Sequence, residues 1–152
     1  MKIDKGRLLV TLQFLFLFLI AMSHGAIHPP NTTFRFGLIF TLIGFFILGF
    51  AAIALRPALT ARPEPKAGAP LITHGIYHYV RHPMYLGVIS IGIGISLTHW
   101  SIISFVETFI LFLILIYKYH YEDSLLKEKW PQAAAYQRET GALLPNFNRR
   151  EK

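Results

Sequence analysis

Apolar residues fall in three long blocks, and the interruptions between them are few. No charged side chain occurs between Leu8 and Phe34 or between Phe36 and Leu55, and Glu107 is the single charge between Pro83 and Tyr117. A helix that crosses a bilayer needs about 20 apolar residues. The pattern therefore predicts one span over 8–23 and a second over 36–55. The third block is too long for one crossing. Thr98-His99-Trp100-Ser101 is the polar break at which it folds back, giving spans over 83–98 and 101–119. The expected fold is all-α: a polytopic membrane protein with about four transmembrane helices, a polar loop after the second and a helical C-terminal segment. Residues 1–55 form a pair of N-terminal transmembrane helices; residues 56–152 form a second unit of loop, helical hairpin and C-terminal segment.

Composition supports this reading. Of 152 residues, 53% are hydrophobic and 15% charged, too little polar material to cover a soluble domain of that size. The 15 Lys and Arg against 8 Asp and Glu give a net charge of +7. In a soluble protein such an excess suggests nucleic acid, but here the cations lie between apolar blocks and report topology. Lys2, Lys5 and Arg7 precede the first span; Arg56, Arg62, Lys66 and Arg81 lie between the second and third; seven more follow the fourth. With four spans, all of the 15 but Arg35 share one side. Both termini and the long loop are thus expected in the cytoplasm, in a multi-pass protein of the bacterial inner membrane with the lipid bilayer, not nucleic acid, as its partner. The N-terminal block also has the layout of a cleavable leader, with small residues near 21–26, although the charge alternation favours a retained anchor. The absence of Cys removes disulfides, thiolate metal sites and a thiol nucleophile. Oligomeric state has no signature in the sequence.

Polar chemistry gathers in two places. The loop over 56–82 holds Pro57, Pro63, Pro65 and Pro70 with Gly68 and Gly75, which predicts ordered, largely non-helical backbone. It ends in Arg81-His82-Pro83-Met84-Tyr85, with Pro83 suited to the first turn of the third span. After the fourth span come Lys118, Glu122 and Asp123; Lys118 and Glu122, four apart, share a helix face and suit an interfacial ion pair. His74, His78 and His82 repeat every four residues, the spacing of metal or haem ligands on one helix, but Gly75 and the position before Pro83 oppose a continuous helix. Glu107, inside the fourth span, is either a functional carboxylate or one tied by protonation, snorkelling or His99. The small residues Gly37, Gly44 and Gly49 in the second span, and Gly87, Gly92 and Gly94 with Ser90 and Ser96 in the third, permit close helix packing.

Gly75-Ile76-Tyr77, Arg81-His82-Pro83-Met84-Tyr85-x-Gly87, the apolar hairpin, Glu122-Asp123 and Leu143-Leu144-Pro145 occur in an order that resembles the isoprenylcysteine carboxyl methyltransferase family, to which phospholipid N-methyltransferases are related. The likeness covers about residues 60–147. It implies an integral membrane methyltransferase that uses S-adenosyl-L-methionine and acts on a lipophilic or small-molecule methyl acceptor. On that resemblance Ala69, Pro70, Leu71, Ile72 and Tyr77 match cofactor-contacting loop positions, and His82, Pro83, Met84 and Tyr85 the cofactor-binding stretch at the helix start. Glu122 matches the acidic position that holds the cofactor and Lys118 a basic position that faces the acceptor; no metal is implied. The chain departs from the pattern at Asp123 for a second Glu, Trp130-Pro131 for Phe-Gly, Ala69 for His, and Lys118 for Arg. Arg grips a carboxylate bidentately while Lys is a point charge, so lipid amines and thiols stay open as acceptors beside a carboxylate. A non-catalytic membrane subunit and an NADPH-dependent sterol reductase module are the rival readings.

Overall fold

The computed structural model describes residues 4–25 and 27–146. Lys2, Arg149, Arg150 and Lys152 of the charge partition, and Ala26 of the leader-like stretch, lie outside the described residues. The described chain forms five helices: α1 (Lys5–Met22), α2 (Asn31–Leu55), α3 (Pro83–His99), α4 (Ile102–Lys129) and α5 (Ala133–Glu139). Between α2 and α3 the loop carries two short 3-10 turns, Arg56–Ala58 and Gly75–His78. Three helices, α1, α2 and α4, are long and apolar enough to cross a membrane; α3 is apolar but only 17 residues long. The protein is thus an all-helical, polytopic membrane protein.

Local chemistry fixes most helix ends. Asp4 caps α1, its carboxylate accepting from Arg7 N at 3.1 Å, and Ser101 caps α4 through Ser104 N. Pro30 precedes α2, which begins five residues before the expected span and takes in Arg35. Trp100 closes α3 in the left-handed region, φ 49°, which makes the sharp reversal expected at 98–101. The fourth span is expected to end at 119, and the helix that carries it, α4, continues to Lys129 without a break. Its polar residues end the membrane-facing surface, not the helix, because Lys118 and Asp123 turn inward onto the loop and Lys127 and Lys129 suit the negative end of the helix.

Packing follows the small residues. Helix α2 lies along α3 with Gly37 and Gly44 against Gly94 and Gly87; a Cβ on Gly44 would come within 2.7 Å of the Gly87 carbonyl oxygen. Between α3 and α4, Ser96 Oγ is 2.9 Å from the carbonyl oxygens of Gly92 and Ser104 and from Thr108 Oγ1. Helix α1 packs on α4, and Ile20, Val88, Leu111 and Leu115 meet at their common core. A second cluster, Ala51, Ile72 and Tyr77, seats the loop on the end of α2. Phe36, Phe45, Phe46 and Phe50 remain exposed on α2, as lipid-facing residues do.

Candidate active site

The site forms where the loop, the start of α3 and the middle of α4 converge. Gly75 adopts φ 62° and lets the chain enter the turn that buries Tyr77. The backbone then runs beside the C-terminal segment, Arg81 N and His82 N each donating at 2.9 Å to the carbonyls of Gly141 and Ala142. This pairing aims two adjacent side chains at α4. Arg81 Nη2 donates to Asp123 Oδ2 at 2.8 Å, and His82 Nε2 bonds Asp123 Oδ1 at 2.9 Å. Arg81 Nη1 also donates to the carbonyls of Gln137 (2.8 Å) and Thr140, while Gln137 Nε2 donates to Asp123 O at 2.9 Å. Arg81 and Asp123 are nearly buried, so this is a closed polar clamp between α3, α4 and α5.

Burial alone would lower the His82 pKa, but hydrogen bonds to Asp123 and Glu122 raise it from 6.5 to about 8. Burial and the nearby Glu122 raise the Tyr77 phenol above its usual range; burial does the same for Tyr136. Both are therefore neutral hydroxyls at physiological pH, and Tyr136 donates to the Tyr77 carbonyl at 2.5 Å.

Next to the clamp, Tyr85 OH donates to Glu122 Oε2 at 2.6 Å, and His82 Nδ1 lies 3.5 Å from the same oxygen. Glu122 forms part of the wall between two cavities. One, of about 70 Å³, lies under the loop and is lined by Ala69, Pro70, Leu71, Ile72, Tyr77 and Glu122, with Glu64, Arg81, Trp130 and Tyr136. The other, of about 300 Å³, lies among the four long helices and is mostly apolar. His82, Met84, Tyr85 and Lys118 line it together with Tyr77 and Glu122. The residues expected at a cofactor site are thus divided: Ala69, Pro70, Leu71 and Ile72 face one cavity, His82, Met84 and Tyr85 face the other, and Tyr77 and Glu122 line both. Pro83, fully buried at the first turn of α3, belongs to neither lining.

Three further expectations meet a definite outcome. Lys118 and Glu122 form no ion pair; Lys118, 2% exposed, donates from Nζ to Gln13 Oε1 at 2.6 Å and to Ala61 O at 3.1 Å. Its ammonium also lies 5.1 Å from the centre of the Tyr85 ring. His74, His78 and His82 do not line up on a helix, since His74 is extended and His82 is committed to Asp123. Among the described residues no three His, Cys, Asp or Glu side chains converge as metal ligands. Glu107 accepts from Ser23 Oγ at 2.8 Å at the opposite end of the bundle, and His99 bonds the Ser23 carbonyl, so the carboxylate is tied to α1 through Ser23. Sequence reasoning missed Gln13 and Glu64. Gln13 stands out only as a carboxamide inside an apolar span, and Glu64 is hidden in the proline-rich loop.

A family model described as phospholipid methyltransferase matches residues 32–133, about two thirds of the chain, and takes in α2, the loop, α3 and α4. No curated protein matches the chain.

Proposed function

The chain belongs to the phospholipid methyltransferase family, and from that premise we propose that it transfers a methyl group from S-adenosyl-L-methionine to a lipophilic or small acceptor, in the manner of O-methylation of an isoprenylcysteine carboxylate. The observation that carries this reading is the shared wall: Tyr77 and Glu122 line both the loop-side cavity and the apolar cavity that holds Lys118. Two compartments meeting at a carboxylate suit a polar cofactor on one side and a greasy acceptor on the other.

The loop-side cavity, about 70 Å³, is smaller than such a cofactor and open on one side, and its residues carry the matching chemistry. Glu64 Oε2 and Arg81 Nε are buried without a hydrogen-bond partner, an acceptor and a donor that an amino-acid group satisfies in pairs. Ile72, Tyr77, Trp130 and Tyr136 offer apolar and aromatic surface to a purine, and Glu122 offers negative charge to a sulfonium. Bound there, S-adenosyl-L-methionine supplies a methyl group already activated by its sulfonium. What the protein adds is orientation and exclusion of water. Ala69, Pro70, Leu71, Ile72, Tyr77 and Glu122 hold the cofactor; His82, Pro83, Met84 and Tyr85 shape the site from α3, with Tyr85 and His82 fixing Glu122. Lys118 orients an acceptor oxyanion, which arrives ionised and needs no base. An amine or thiol acceptor would surrender a proton to Glu122. Roles divide at residue 55: residues 1–55 supply acceptor-facing walls, and 56–152 supply the chemistry. The charge asymmetry along the sequence supports a cytoplasmic loop and cytoplasmic termini in a bacterial inner membrane.

Calorimetry of the detergent-solubilised protein with S-adenosyl-L-methionine, followed by transfer of labelled methyl to prenylcysteine, lipid-amine and thiol acceptors, tests this. Binding that weakens in Glu122→Ala is expected. A folded protein that fails to bind the cofactor overturns the proposal; binding without transfer to any acceptor points to a non-catalytic subunit.

A further inference from the structure

We propose that Gln13 is a positioning residue for the acceptor, and that α1, which lies outside the stretch matched by the family model, completes the acceptor site of this chain; the inference rests on the methyltransferase reading above. Between Leu8 and Met22 only Thr11 and Gln13 are polar. A carboxamide in a membrane span is costly on the lipid face and is drawn toward a polar partner inside the bundle. Gln13 has such a partner in Lys118, 2.6 Å from its Oε1.

The geometry gives this bond a purpose. An ammonium carries three N–H donors. Gln13 Oε1 and Ala61 O take two of those on Lys118, which leaves one for a group in the cavity that all three residues line. Gln13 therefore sets where the last donor points, and it keeps a buried cation solvated when no acceptor is bound. Phe14 and Leu17, on the same stretch of α1, complete the apolar wall beside it. An acceptor with an anionic oxygen at the end of an apolar tail matches this lining: the oxygen meets Lys118, and the tail lies against α1 and α2.

The test uses the full chain in detergent with N-acetyl-S-geranylcysteine as the acceptor probe. Gln13→Leu should raise the KM for the probe about tenfold, the size expected when a hydrogen bond to a charged group is lost, with a smaller change in kcat and unchanged cofactor affinity by calorimetry. An unchanged KM overturns the inference, as does a parallel loss of cofactor affinity, which would mean that Gln13 only supports the fold. A second measurement needs no turnover: acylation of Lys118 by a lipophilic active ester, located by peptide mapping. Gln13→Leu should label several-fold faster than the parent, and Gln13→Glu, which keeps an oxygen at the ammonium, should stay slow. Equal labelling of all three sinks the proposal even if the probe is not a substrate. Failure of the parent to bind S-adenosyl-L-methionine, with labelling as expected, would instead count against the methyltransferase reading alone.

Discussion

His82 Nε2 stands 2.9 Å from Asp123 Oδ1 and joins the start of α3 to α4 across 41 residues of sequence. The other oxygen of the same carboxylate receives Arg81. Two consecutive residues thus close on one acid, and the residue before that acid, Glu122, is left to face both cavities. The clamp lies behind the carboxylate proposed to hold the cofactor and fixes its height on α4.

Asp123→Asn should therefore cost stability before it costs chemistry. It leaves Arg81 nearly buried without its carboxylate, a loss on the order of 3 kcal/mol. The expected outcome is a clear drop in melting temperature in detergent and less protein in the membrane. A variant that melts with the parent would show that the clamp does not carry the fold.

The same imidazole makes stability depend on pH. Its pKa in the fold is about 8 against an ordinary 6.5, so the proton is bound more tightly in the folded state. That stabilisation is complete below about pH 6.5, falls as pH rises through 8, and amounts to something on the order of 2 kcal/mol. Thermal melts between pH 6 and 9, at about half-unit steps, should decline through this window. The decline should flatten in His82→Asn; an equal slope in both would assign the effect to another group.

Tyr85→Phe separates the two cavities. It deletes the hydroxyl that donates to Glu122 at 2.6 Å but keeps the ring beneath the Lys118 ammonium. Cofactor affinity should fall by about tenfold, as one hydrogen bond to a charged group is lost, while the acceptor KM changes little. The reverse split, with acceptor KM rising and cofactor affinity intact, would place Glu122 on the acceptor side.

Much of this arrangement was legible in the sequence. The spans were readable because lipid demands apolar surface, and within the expected spans the only charged or carboxamide side chains are Gln13, Glu107 and Lys118. The paired motifs Arg81-His82 and Glu122-Asp123 were visible as polar clusters, but not the fact that one grips the other. Spacing along a helix suggested Lys118 with Glu122; the fold instead gives Lys118 to Gln13, 105 residues away, because α1 packs on α4 and presents the nearest buried oxygen. Local periodicity reports which face a residue occupies and cannot report which helix lies opposite. The length of α4 beyond its span has a related cause. Polar residues there mark where lipid stops, while the helix is continued by contacts with the loop and α5.

The glycines of α2 and α3 allow a graded prediction. Gly44 and Gly87 approach backbone to backbone: a Cβ on Gly44 would lie 2.7 Å from the Gly87 carbonyl oxygen, and one on Gly87 2.9 Å from the Gly44 carbonyl oxygen. Neither obstacle is a side chain that can swing aside, so the helices must separate. Gly44→Ala and Gly87→Ala should each cost about 1–3 kcal/mol by overpacking, outweighing the better helix propensity of Ala. Gly49, on the same helix, has nothing within 4 Å of the added carbon. There the propensity gain of up to about 1 kcal/mol stands alone, and Gly49→Ala should be neutral or stabilising. Melting the three variants side by side in one detergent checks the contrast. If Gly49→Ala were as damaging as Gly44→Ala, close packing of α2 on α3 would not be the reason for glycine at these positions.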